Sequence, residues 1–197
     1  MSRTCLLVVD IQNEVFHPDG ALSGDFPKQA EPMLAAVRRL VDWAHQQTHP
    51  VIWLRLAFRA GHFDAVRDSM SRQRGTFLDG TFGADLLDGL GRRDDDIVIT
   101  KKRPSGFFDT DLRVVLRGLA VERIVVCGAS TNWAVESTVR DGHSHDYEMV
   151  VASDAVATPF TELHDASLRS MGSVFARVAD THEIVNGTTD HEMERSH

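Results

Sequence analysis

Residues 122–141, ERIVVCGASTNWAVESTVRD, decide how the rest of the chain is read. The run from Glu122 to Cys127 is continuous, apolar and rich in β-branched residues, as expected for a parallel strand covered on both faces. Gly128 permits a tight exit, and Thr131 can cap a helix beginning near Asn132. Strand, turn and helix start in that order leave backbone donors free over residues 130 to 134, which makes an anion or oxyanion site. A nucleophile is expected on such a first turn, where a thiolate gains from the helix field. Residue 134 is alanine.

Working outward, similar apolar runs cover Cys5 to Val9, Pro50 to Leu56, Ile97 to Thr100 and Glu148 to Ala152, with a weaker one from Val174 to Val178. Helical spacing joins Met33, Leu34, Val37, Leu40, Val41 and Ala44 on one long helix, with Pro32 near its first turn. Leu112, Val115, Leu116 and Leu119 mark a shorter helix, and segments 132–140 and 162–171 supply two more. Strand alternating with helix predicts an α/β fold of three layers, α/β/α, around a six-stranded parallel sheet. Functional groups then belong beyond the C-terminal strand ends, in the loops after Val9, Leu56, Thr100 and Cys127.

The bulk properties agree with one domain. The chain has 197 residues, 42% of them apolar and 25% charged, and no repeat or linker divides it. A domain over residues 1–185 and a polar tail over 186–197 are expected, the latter reading NGTTDHEMERSH. The formal charge of −8, with no basic block, argues against a nucleic-acid or anionic-membrane partner and leaves room for a local pocket for a small polar or anionic molecule. No apolar stretch reaches the roughly 18 residues of a membrane span. Cys5 and Cys127, both inside apolar runs, suit buried thiols in a cytoplasmic setting, not a disulfide framework.

Two more strand ends carry candidate chemistry. Asp10 closes the run LLVVD, where a half-buried carboxylate either exchanges a proton or caps loop amides. Lys101 is the first residue past the third run and can come beside Asp10 from an adjacent strand, holding it ionised. The long excursion 57–90 carries Arg59, His62, Arg67, Arg72 and Arg74 and reads as a lid, a substrate wall or a solvated loop. His62 and Asp64 are too few for a metal centre needing several protein ligands, so no metal or other cofactor is expected.

Three motifs in order resemble the isochorismatase-like cysteine hydrolases, a family that includes nicotinamidases, N-carbamoylsarcosine amidohydrolases, ureidoacrylate and biuret hydrolases and isochorismatases. They are Val9-Asp10-Ile11-Gln12 with Phe16, then Lys101 through Phe107 followed by Thr110-Asp111-Leu112, and Gly128 through Asp141. The resemblance runs from about residue 4 to residue 185. It implies a cis peptide between Ala129 and Ser130, an oxyanion hole from the amides of Ser130 and Ala134, and a catalytic set of Asp10, Lys101 and residue 134. Gln12, Arg55, Arg59, Phe107, Asn132 and Trp133 are the implied or candidate substrate contacts, and a homodimer or homotetramer is the implied assembly.

The departure from the family pattern is alanine where its cysteine stands. Ala134 is either an inactivating substitution or natural sequence. The first makes the chain a silenced amidohydrolase acting on small amide, ureido or carbamoyl C–N bonds. The second fits isochorismatases, which cleave a vinyl ether without the cysteine, or a catalytically inactive small-molecule binding protein. Cys127, seven residues upstream inside the strand, is no substitute nucleophile.

Overall fold

In the computed structural model, residues 3–26 and 30–187 are described. Six parallel strands, β1 (Thr4–Val9), β2 (Val51–Leu56), β3 (Ile97–Lys101), β4 (Arg123–Ala129), β5 (Glu148–Ala157) and β6 (Arg177–Ala179), form one sheet in the order β3-β2-β1-β4-β5-β6. Alternation along β1 sorts the core into two layers. Leu6 and Val8 pack on the long helix α2 (Ala30–Gln46) below the sheet, whereas Cys5, Leu7 and Val9 face the opposite helices.

In chain order the helices are α1 (Asn13–Phe16), α2 (Ala30–Gln46), α3 (Met70–Arg74), α4 (Leu112–Gly118), α5 (Glu136–Ser144), α6 (Thr161–Ser170) and α7 (Thr181–Asn186). The apolar stripe of α2 buries Met33, Leu34, Ala36, Val37, Leu40, Val41 and Ala44, in line with its spacing. Full burial of a side chain such as Leu40 contributes about 1.5–3 kcal/mol. Ile184 of α7 joins the same layer, while Leu112 and Leu116 of α4 and Val139 of α5 fill the other. The expected three-layer α/β/α fold with a six-stranded parallel sheet is therefore the observed one.

Boundaries differ where polar residues interrupt a pattern. The last strand is Arg177–Ala179 and not Val174 to Val178, because α6 continues through a π-helical turn over Met171–Phe175 that leaves Val174 exposed. The fifth strand runs five residues beyond Ala152 across an irregularity in its pairing with β4. Asp154, in that stretch, accepts hydrogen bonds from the amide and hydroxyl of Thr181 at 2.8 and 2.6 Å, which fixes the start of α7. That helix crosses the boundary expected at residue 185, and residues 188–197 of the expected tail lie outside the described residues.

Candidate active site

The strand order reverses direction between β1 and β4, and at such a switch point the loops after neighbouring strands diverge and open a crevice. Asp10 stands on one side of it, the first residue beyond β1, with φ 51° and its amide donating to Leu54 O at 3.0 Å. Gly128 stands on the other side, at φ 119°. A Cβ there would meet Val9 O at 2.1 Å, so only glycine lets β4 lie this close to β1 as it leaves the sheet.

Lys101 donates from Nζ to Asp10 Oδ2 at 2.6 Å and to Arg103 O at 3.2 Å. The lysine does not come from an adjacent strand: β2 lies between β1 and β3, and Lys101 reaches past it. Its side chain is 1% exposed and that of Asp10 14%. Burial pushes the Asp10 carboxyl above the ordinary carboxylate range, and the charge and hydrogen bond of Lys101 partly oppose that rise. Oδ1, the other carboxylate oxygen, is buried without a hydrogen-bond partner among the described residues. An acceptor desolvated in this way is expensive to leave unpaired, and Asp10 lines a cavity.

The peptide bond between Ala129 and Ser130 is cis. Beyond it, Thr131–Val135 forms a π-helical turn leading into α5. Trp133 N and Val135 N both donate to Ser130 O, at 3.0 and 3.2 Å, which closes the turn over the strand end. Thr131 does not cap the helix as expected; its hydroxyl is hydrogen-bonded to His164 Nδ1 at 2.9 Å. Burial lowers the pKa of His164, with Asp165 opposing, which favours the neutral ring.

A cavity of about 820 Å³ opens over these strand ends, and Asp10, Lys101, Ser130, Asn132, Trp133 and Ala134 all line it. Asn132 is oriented by Thr158, whose hydroxyl donates to its Oδ1 at 2.7 Å. Four other sequence candidates do not line the cavity. Gln12 is fully buried and staples the excursion to the sheet: Nε2 donates to Leu56 O and Ala84 O, and Oε1 accepts from Leu56 N, at 2.7–2.8 Å. Arg55 is held by Thr100 and Asp79, and Arg59 by Asp64. Phe107 packs beside His145 and Tyr147 in the core layer of α4 and α5.

Residues that sequence reasoning missed complete the walls. Leu22 and Phe26 come from the segment after α1, Met70 and Phe77 from the excursion, and Phe160 from the loop after β5, beside Phe58, which the sequence already offers as a pocket or packing residue. The excursion is thus a wall, one of its three expected roles, but its apolar residues and Arg74 face the cavity in place of Arg59. Neither cysteine contributes. Cys5 and Cys127 are fully buried in opposite core layers, and burial drives both thiols upward, Cys5 to about 12.

Comparison with known proteins bears on the whole of this architecture: a model of the isochorismatase domain matches residues 4–183. The chain belongs to the isochorismatase family. Among family relatives, it is 34% identical to a probable inactive nicotinamidase of Arabidopsis thaliana over 92% of this chain and 94% of that protein. It is 31% identical to a ureidoacrylate amidohydrolase of Acinetobacter baylyi, over 93% of this chain and 83% of the relative. A cysteine hydrolase from Pseudomonas syringae pv. phaseolicola superposes with a TM-score of 0.84 at 29% identity, covering 93% and 91% of the two chains. Within this isochorismatase-family site, no group of three or more His, Cys, Asp and Glu suited to a metal occurs among the described residues. His62 Nε2 is hydrogen-bonded to Thr76 O at 2.8 Å, and Asp64 is paired with Arg59 and Lys102.

Proposed function

We propose that the site is built to hydrolyse a small amide, ureido or carbamoyl C–N bond through a thiol at position 134. With alanine there, the chain binds such a compound without turning it over. The observation that carries this reading is the buried Oδ1 of Asp10, without a hydrogen-bond partner among the described residues and in the same cavity as Ala134. A proton acceptor is in place, and the atom it would serve is missing.

In the cysteine form, Asp10 takes the thiol proton and the thiolate attacks the carbonyl carbon. The resulting oxyanion falls to the amides of Ser130 and residue 134, two residues that line the same cavity as Asp10. As the C–N bond breaks, Asp10 returns the proton to the leaving nitrogen and a thioester remains. Water, losing a proton to Asp10, then releases the acid and regenerates the thiol. Lys101 is the electrostatic partner that keeps the carboxylate accessible against its desolvation. The relatives include a ureidoacrylate amidohydrolase and a probable inactive nicotinamidase, which supports reading the scaffold as one that occurs with and without turnover.

The test is Ala134→Cys incubated with ureido acids, carbamoyl amino acids and simple amides, with rapid quenching and intact-mass analysis. A covalent acyl adduct mapping to position 134 is the expected result. Its absence across the panel, with no acid product formed, contradicts the proposal.

One observation favours a second reading. Burial raises the pKa of Asp10, so the group is suited to donate a proton as well as to accept one, which is what vinyl ether hydrolysis without a thiol requires. Release of pyruvate from isochorismate by the unmodified chain, abolished by Asp10→Asn, would establish that reading. The amide reading predicts none.

A further inference from the structure

The chemistry around the cavity is segregated. Groups able to hold a small amide head lie together at the strand ends: Asp10, Lys101, the amides after the cis peptide, Asn132 and Thr158. The space above them is walled by Leu22, Phe26, Phe58, Met70 and Phe77. At about 820 Å³ the cavity falls in the upper part of the ~300–1,000 Å³ range typical of pockets for drug-sized ligands, far more than an amide head needs.

Three exposed apolar side chains ring the mouth. Val66, Trp133 and Phe160 keep 44%, 50% and 61% of their surface open, and they come from three separate segments. A single exposed apolar residue needs no explanation, but convergence of three on one opening marks a surface that gains from contact. The basic groups beside the cavity, Arg74, Lys102 and Arg103, already have partners within the fold. Arg74 lies 3.8 Å from Asp25, and Lys102 bonds to Ala57 O and lies 3.5 Å from Asp64. Arg103 is bound through Nη1 to Asp64 O and Lys102 O at 2.7 and 2.8 Å. Asp25, the partner of Arg74, and Asp68 line the same cavity and offset its basic groups.

We infer that the pocket takes an amide or ureide carrying a bulky apolar substituent, branched aliphatic or aromatic, and not the compact polar or anionic compound expected from sequence. The inference rests on the proposed reading of Asp10, Lys101 and position 134 as the amide-binding end. The polar head seats at the strand ends, and the apolar arm lies against the wall formed by the excursion.

Calorimetric titration of the unmodified chain tests this without any turnover. The probes are a series of primary amides from butyramide to octanamide, phenylacetamide, and ureidoacetate as a compact anionic competitor. Affinity should rise about fourfold per added methylene, as burial of CH₂ groups predicts, with phenylacetamide tighter than butyramide and ureidoacetate weakest. Met70→Ser and Phe26→Ser, checked by thermal melting for an intact fold, should flatten the dependence on chain length. Affinity independent of chain length, tighter binding of ureidoacetate than of octanamide, or no saturable amide binding overturns the inference. Because the alanine chain is used, failure of Ala134→Cys to turn over any substrate leaves this result readable. Turnover by that variant confined to compact ureido acids would support the catalytic reading while defeating the apolar arm.

Discussion

The Asp10 carboxyl is subject to two opposed influences, burial that raises its pKa and Lys101 that lowers it. Removing the cation as Lys101→Met leaves burial unopposed, so the Asp10 pKa must move further up. Carbon-13 NMR titration of labelled aspartates should show Asp10 above the ordinary carboxylate range in the unmodified chain and higher still in that variant. A downward shift, or none, would mean that the two side chains are not coupled as their 2.6 Å contact requires. For the cysteine form the sign follows: the base is lost as pH falls through the Asp10 pKa, so raising that pKa moves the acidic limb of activity to higher pH. The placement of Asp10, Lys101 and Ala134 at strand ends is legible in the sequence, because each sits at the end of an apolar run or on the turn just beyond it, whereas their grouping as one catalytic set comes only from the family resemblance. Gln12 was not, since a glutamine beside the site looks the same whether it faces a ligand or, as here, bonds to the carbonyls of Leu56 and Ala84.

Elements were legible in proportion to the continuity of their patterns. Strand β1 and β4 beyond Arg123 are near-continuous apolar runs, β2 is broken only by Arg55, and α2 keeps its stripe from Met33 to Ala44, about three turns. The second half of β5 was hidden because Ser153 and Asp154 interrupt the run, and α7 because its apolar content is slight. What specifies α7 is a capping box, with Asp180 accepting from Glu183 N and Glu183 Oε2 accepting from Asp180 N, both at 2.8 Å. Asp180→Ala should therefore cost about 1 kcal/mol. For a domain of this size that is a fall in Tm of roughly 2–4 °C, and an unchanged Tm would show that packing of Ile184 alone holds the helix. The turn behind Ala134 is braced in a similar way from α6. Glu136 accepts from Arg140 and from Ser167, and Arg140 also donates to Ser170, which ties α5 and α6 behind the turn.

At the scale of the molecule, strand order and side-chain reach create the site together. The reversal between β1 and β4 opens the crevice, the length of Lys101 spans the intervening strand, and the segments after α1 and β2 add walls. The strand order follows from fold class, but the inward-facing residues of the excursion depend on tertiary packing that no periodicity announces. On the proposed reading, this architecture is complete for amide hydrolysis apart from one sulfur atom. The most direct measurement is ammonia release from a panel of primary amides and ureides by the unmodified chain and by Ala134→Cys, side by side at equal concentration. The unmodified chain should stay at background and the variant exceed it by a factor on the order of 10⁴–10⁶, the scale on which removal of a nucleophile acts. Ammonia release by the alanine chain at a rate matching the variant, or background rates from both on every compound, would contradict the account.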